Sequence, residues 1–383
     1  MIWIIIIQLL FSICFLFPVI LLIISKLKKK PTLNAIKSAK TLDYGIIVTA
    51  YKQIDLIPDV INSLLNLNYH RYTVYVVADN CDISTLNYND GRIKILRPPK
   101  TLASNIKSHF YAINEFVREH DIVTIIDSDN LVDSEYLNEL NHFFASGYLA
   151  VQGVRKAKNL NTMYACLDEA GDIYYRYIDR KLLFESGSSA SLAGSGMAFT
   201  TSIYKKCLRH LNIDGAGFDK VLQYELLNRN KRIAFAEKAI VYDEKTTQPD
   251  QLVKQRARWI NTWFRFWVLG AKMLLSSLKS PDWNRFAFSM LLMRPPLFLM
   301  LLIAGVFFIV NLLLMPLMSL YWLLMAVIFI AIFFTALNYF TANKKIYNSL
   351  IHAPKFVFYQ ILAFLKVRKA NKMSVATEHY SRK

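Results

Sequence analysis

The sequence predicts an α/β domain with a mostly parallel sheet, carried by three membrane-spanning helices, one amino-terminal and two carboxy-terminal. Three observations predict it. Hydrophobic residues fill 54% of the 383 positions and charged residues 19%, too apolar for an ordinary soluble protein and too charged for membrane helices alone. The apolar residues concentrate in two charge-free blocks, 2–24 and 295–343. Between the blocks, short β-branched runs alternate with segments of helical period, the pattern of β-α-β units.

The first block, as a helix rising about 1.5 Å per residue, reaches roughly 35 Å, enough to cross a bilayer core. A secretory signal would need a basic start, a shorter apolar run and a small-residue cleavage site. Here Ile2 and Trp3 follow Met1 directly, and the run ends in Ser25, Lys26, Leu27, Lys28, Lys29 and Lys30. Residues 1–26 are therefore expected to be an uncleaved anchor. Positive charge marks the cytoplasmic flank, so the amino terminus is expected outside and the following domain in the cytoplasm.

The second block covers roughly 74 Å as helix, two crossings plus a turn. The turn is expected at 311–319, around Pro316,. Two spans are placed at 291–340, their charge-free stretch starting at Pro295 behind Lys279, Arg285 and Arg294 and followed by Lys344 and Lys345. Both flanks agree with one topology in the cytoplasmic membrane, ending in a basic cytoplasmic tail at 344–383.

The net charge is +18. Its basic residues crowd the membrane borders and the tail, so membrane lipids, not nucleic acid, are the expected partner. Cys14, Cys81, Cys166 and Cys207 lie far apart without paired spacing. They read as small buried hydrophobes rather than a zinc site or disulfide framework.

Residues 40–250 are expected to form the cytoplasmic α/β domain. Strands are expected at 44–49, 72–78, 93–96 and 122–126, with helices at 54–67 and 104–118. The stretch 133–250 reads as the second half of the same domain, with a strand at 233–242. In such sheets ligands bind beyond the carboxyl ends of the strands. Asp79 and the pair Asp127/Asp129 fall there.

Residues 251–285 are expected to be interfacial helices. Leu252, Trp259, Trp263 and Phe266 recur at helical spacing among Lys254, Arg256, Arg258 and Arg265, the make-up of a helix lying on a bilayer surface. Trp263 and Trp267 suit a simple interfacial belt. The run 356–365, behind Pro354 and Lys355, is too short to span and is expected to be interfacial or docked.

Asp127-Ser128-Asp129 follows a buried apolar strand, where two carboxylates a short loop apart can hold a hard divalent cation against two phosphates. The same pair also suits the cap of the next helix. Gln255-Arg256-Ala257-Arg258-Trp259, preceded by Asp219, adds a second pattern. With these residues the segment from about Tyr44 to Phe266 resembles the family 2 glycosyltransferases. It is most like the membrane-bound group that includes cellulose, chitin and hyaluronan synthases, marked by Asp followed by Gln-x-x-Arg-Trp. Ala50-Tyr51, Val77-Ala78-Asp79, Lys107, Gly194-Ser195-Gly196 and Asp219 recur in the expected order.

The resemblance implies a GT-A-like fold and an inverting transfer from a nucleotide-diphosphate sugar, in single displacement, to a growing polysaccharide or oligosaccharide. A single transfer to a lipid acceptor, or an inactive scaffold of a polysaccharide machine, are the alternatives, and partners in polysaccharide export would follow from the first. It implies that Ala50 and Asp79 help bind the donor, that Lys107 meets the diphosphate, and that Asp127 and Asp129 bind the nucleotide and a Mg2+ or Mn2+ ion. It implies Asp219 as general base, Gln255 and Arg258 bracketing the diphosphate, Trp259 as floor under the acceptor sugar, and an acceptor approach along Gly194, Ser195 and Gly196. Forked donors on Arg258 suit phosphate oxygens, and Gln255, Arg258 and Trp259 share one helix face. Phe218 stands where the family usually has an acidic residue before its base, Lys220 follows, and Ala78-Asp79 replaces the usual aspartate pair. Asp219 also suits a helix N-cap for 220–229.

Overall fold

The computed structural model describes residues 2–29, 41–211, 217–341 and 343–367. Lys30 and the tail beyond residue 367 lie outside them. The elements run α1 (Ile2–Leu27), β1 (Tyr44–Tyr51), α2 (Ile57–Leu65), β2 (Tyr72–Asp79), β3 (Ile93–Leu96), α3 (Asn105–Asn114), β4 (Ile122–Asp127), β5 (Leu131–Val132), α4 (Tyr136–Ala145) and β6 (Ala150–Ala157). Next come α5 (Met163–Tyr175), which continues through a π-helical segment (Arg176–Leu182) into α6 (Leu183–Glu185), then β7 (Met197–Thr200), α7 (Thr201–Leu208), α8 (Phe218–Asn228) and β8 (Ile233–Asp243). The chain ends in helices: α9 (Pro249–Lys279), α10 (Trp283–Met293), α11 (Leu297–Leu314), α12 (Pro316–Phe340), α13 (Lys344–Ser349) and α14 (Ala353–Leu365).

The chain divides into two compact units, a helical one from residues 1–31, 162–188 and 248–367, and one built on the sheet from 32–161 and 189–247. Residues 162–188 thus group with the membrane helices, not with the sheet.

In the sheet unit, eight strands run in the order β3-β2-β1-β4-β7-β6-β8-β5. Strands β1 to β4 are parallel, and every residue of β2 is buried, as a strand covered on both faces must be,. β7 is antiparallel to both β4 and β6. Two reversals return β6, and β8 parallel to it, to the direction of β1. The carboxyl ends of six of the eight strands, β1 to β4, β6 and β8, therefore meet at one edge. Register fixes who stands there: Tyr51 pairs with Asp79, Thr49 with Asp127 and Ala157 with Asp243. The helix expected at 104–118 stops at Asn114, because the Val117 N–H donates to the Tyr75 hydroxyl at 3.0 Å instead of continuing the helix.

In the helical unit, α1, α11 and α12 are long and apolar enough to cross a membrane. Only Met315 separates α11 from α12, and Pro316 takes the first helical position, where its missing N–H costs nothing,. Phe15, Met300, Trp322 and Met325 pack as the core of these three helices. Beside that core is a buried polar hub. The Asn311 side-chain amide donates to Gln8 Oε1 at 2.7 Å, and Trp322 Nε1 donates to the same oxygen at 2.6 Å. In hydrocarbon such bonds hold helices in register. Asn311→Leu is expected to lower stability by about 0.5–2 kcal/mol, read as an earlier midpoint in an SDS unfolding titration. An unchanged midpoint would show that the hub adds nothing to helix packing. α14 is not among the helices that can span; Phe356 packs with Leu167 and Leu252.

Candidate functional site

The carboxyl edge of the sheet gathers acidic residues. Asp79 ends β2, is buried, and accepts from the backbone N–H of Leu102 at 2.9 Å and of Ala103 at 2.7 Å. It thus shapes the turn that leads to Ser104, whose hydroxyl accepts from the Lys107 N–H and caps α3. Lys107 itself is exposed in the first turn of that helix. Ala50, next to the end of β1, is buried opposite Ala78.

Asp127 ends β4 and is half-buried, as is Asp129. Burial, together with the charges of Asp129, Asp243 and Asp219, pushes the Asp127 carboxyl up to about 6 against the opposing pull of Arg155. The acidic neighbours thus add to burial in disfavouring the charged form of Asp127,. α4 begins only at Tyr136, with Glu135 at its N-cap, so Asp127 and Asp129 do not cap it.

The loop 193–196 is held against this edge. Gly194 and Gly196 have φ of +85° and +66°, values an L side chain rarely adopts,. Ser195 is buried, and its hydroxyl accepts from the Asp127 N–H at 3.0 Å. From β6, the Gln152 amide donates to the carbonyls of Ser195 and Gly196 and accepts from the Ala193 N–H. Arg155 donates to the Ala193 carbonyl at 2.8 Å and to Asp243 at 2.5 Å, and Asp243 also meets Lys245 at 3.2 Å. Sequence reasoning missed Gln152, Arg155 and Asp243. Their only signal was polar residues inside an otherwise apolar strand or at its end.

Asp219 lies in the first turn of α8. Its cap role is corrected by the structure: the N-cap is Gly217, with φ of +100°, and no side chain caps the helix. Glycine takes the left-handed conformation that this entry requires, leaving the Asp219 carboxylate free of that duty. Lys220 Nζ stands 3.3 Å from Asp219 Oδ2. Phe218 is buried, its ring centroid 5.2 Å from that of His109 in an edge-to-face arrangement, and His109 pairs with the Tyr204 hydroxyl at 2.7 Å. Burial pulls His109 down to about 3, so it is a neutral packing partner at physiological pH,.

The remaining sequence-predicted residues belong to the helical unit. Gln255 and Arg258 are half-buried on α9, and Trp259 is 41% exposed. Burial lowers Arg258 from the ordinary guanidinium range. Trp267 donates its indole N–H to the Met293 carbonyl at 3.2 Å, tying α9 to α10.

No curated protein sequence is significantly similar to the chain. In fold it is similar to the mannosyltransferase PcManGT from Pyrobaculum calidifontis, solved in complex with GDP-Man and Mn2+, with a TM-score of 0.54 over 94% of this chain and 96% of that one at 12% identity. It is also matched by residues 1–349 of S. aureus TarS in complex with UDP-GlcNAc, with a TM-score of 0.41 over 61% of this chain and 67% of that one at 16% identity. The family model described as "Glycosyltransferase like family 2" matches residues 42–262, more than half of the chain and the whole of its sheet. With a mostly parallel mixed sheet of GT-A-like form and an acidic carboxyl edge, the chain belongs to the family 2-like glycosyltransferases.

Proposed function

We propose that the protein is an inverting transferase that moves a sugar from a nucleotide-diphosphate donor, a UDP-sugar first among them, to a growing cell-surface glycan at the cytoplasmic face of the membrane. The observation that carries the reading is the carboxyl edge, where the charges of Asp129, Asp243 and Asp219 act on the Asp127 carboxyl against the opposing charge of Arg155. The ordered set of family residues in the sequence supports the same reading.

A divalent cation fits this edge. Asp127 and Asp129 supply hard oxygen donors of the kind Mg2+ and Mn2+ take, and the neighbouring carboxylates that add to burial in raising Asp127 carry charge a cation would offset,. Among the described residues no group of three or more His, Cys, Asp or Glu side chains is arranged around one point, so the donor's phosphates and water would complete the shell. Bound there, the ion would neutralise charge on the leaving diphosphate.

The chain's own residues supply the rest. An acceptor hydroxyl is a poor nucleophile until a base takes its proton in the transition state, and Asp219 is the assigned base. Arg258, Gln255 and Lys107 would bind diphosphate oxygens and spread their charge. Trp259 would lie beneath the acceptor sugar. Gly194, Ser195 and Gly196 would let the acceptor pass close to the backbone.

A donor panel read by release of nucleoside diphosphate tests the activity: turnover of one nucleotide sugar well above the others is expected, and no release from any would defeat the reading. Among the described residues three helices are long and apolar enough to span, few for a polysaccharide channel, which favours a single transfer to a lipid acceptor as second reading. Product length on a labelled acceptor separates the two. The flanking charges predict that a reporter after Lys383 reports cytoplasm and one inserted at Met315 reports the outside. An external carboxy terminus would remove this topology.

A further inference from the structure

We propose that Arg256 is a positioning residue that holds the Trp259 indole as a fixed platform for the acceptor sugar. The inference rests on Trp259 being that platform.

Residues three apart on a helix are neighbours on its surface, and here the neighbours stack. The Arg256 guanidinium carbon lies 4.2 Å from the centroid of the Trp259 ring and 6.0 Å from that of Phe356 on α14. Arg256 is bonded through Nη2 to Asp168 on α5, a carboxylate only 3% exposed. Its Nε is buried with no hydrogen-bond partner. Two rings and one buried anion from three different helices therefore fix this planar group, and an indole that is 41% exposed rests on it.

The consequence is geometric. An exposed tryptophan on a bare helix surface would exchange among rotamers. A guanidinium over one face occupies that face and leaves the other for a ligand. The C–H face of a sugar packs on such an aromatic surface, and a ring already held in place spares the acceptor the cost of ordering it. Lysine does not replace this arrangement: it offers a point charge, without the plane that stacks.

The sequence pattern contains a contrast that supports the division of labour. Arg258, two residues on, lies on the opposite side of α9 from Arg256 by helical spacing, whereas Arg256 and Trp259 lie one turn apart. One arginine of the motif is thus left for the diphosphate and the other serves the ring.

The test uses the full chain in detergent micelles, labelled with 5-fluorotryptophan and observed by fluorine NMR. The Trp259 resonance is assigned by its loss in Trp259→Phe, and the probes are cellobiose, chitobiose and mannobiose. In the native protein at least one disaccharide is expected to move the Trp259 resonance. In Arg256→Lys, which keeps a cation beside Asp168, the free Trp259 resonance is expected to shift while the other tryptophans stay in place, and the Kd of that disaccharide to rise about three- to tenfold. A merely structural role for Arg256 would disturb other tryptophans or the melting temperature and leave Kd unchanged. If a disaccharide moves the native Trp259 resonance with the same Kd in Arg256→Lys, the positioning role is overturned and the platform stands. If none of the three moves that resonance in the native protein, Trp259 is not the platform, and both readings fall.

Discussion

Asp219→Asn is expected to cut turnover by a factor on the order of a hundred or more at saturating donor and acceptor, the usual contribution of a positioned general base. The substitution preserves shape and removes only the ability to accept a proton and the negative charge. Because Gly217 is the N-cap and the Asp219 side chain caps nothing, no cap is lost. What the helix loses is one acidic residue in its first turn, about 0.3–1 kcal/mol of interaction with the helix dipole, and the contact with Lys220 at 3.3 Å. Neither loss unfolds a domain, so the variant is expected to keep its circular dichroism and a melting temperature within a few degrees. Phe218 and its packing on His109 hold the start of α8 unchanged. A variant that turns over at the native rate would move the base to another acidic residue of the edge.

How far the sequence carried the fold depends on where the signal lies along the chain. Strands β1 to β4 were legible because each is a short apolar run, rich in β-branched residues, bounded by polar ones. The three spans were legible because a bilayer demands length without charge, and α11 and α12 part at Pro316 as expected. The region 133–250 was less legible for a physical reason. β6 carries Gln152, Gly153, Arg155 and Lys156, so it does not alternate like a half-buried strand, and its polar side chains find partners in the loop 193–196 and on β8, 88 residues away in the case of Arg155 and Asp243. Residues 162–188 read only as part of the second half of the domain, yet Arg176, Asp179, Arg180 and Lys181 are all buried. Buried charges need partners, and Asp179 finds Arg294 at 2.7 Å, 115 positions on,. No local pattern announces such a pair. The acidic pair Asp127/Asp129 was visible in the sequence, but Arg155 and Asp243, which set its electrostatics, were not.

Asp129→Ala is expected to reduce transfer by a factor on the order of a thousand, as loss of a cation that offsets several kcal/mol of charge on a leaving diphosphate would, while the protein remains folded. The stability side of this prediction is what sets it apart from a structural role. Asp129 is half-buried beyond the end of β4, outside the strand pairing. Its charge is the largest electrostatic contribution raising the Asp127 carboxyl, after burial itself. Removing it relieves repulsion between two neighbouring carboxylates, so the melting temperature is expected to stay level or rise slightly; a residue kept for the fold would lower it. EDTA applied to the native protein is expected to reproduce the loss, and Mg2+ or Mn2+ to restore it, while the alanine variant responds to neither because the second oxygen donor is gone. Native activity at full strength in EDTA would exclude a divalent cation from the edge and leave Arg155, Lys107 and Arg258 as the groups that must meet the diphosphate.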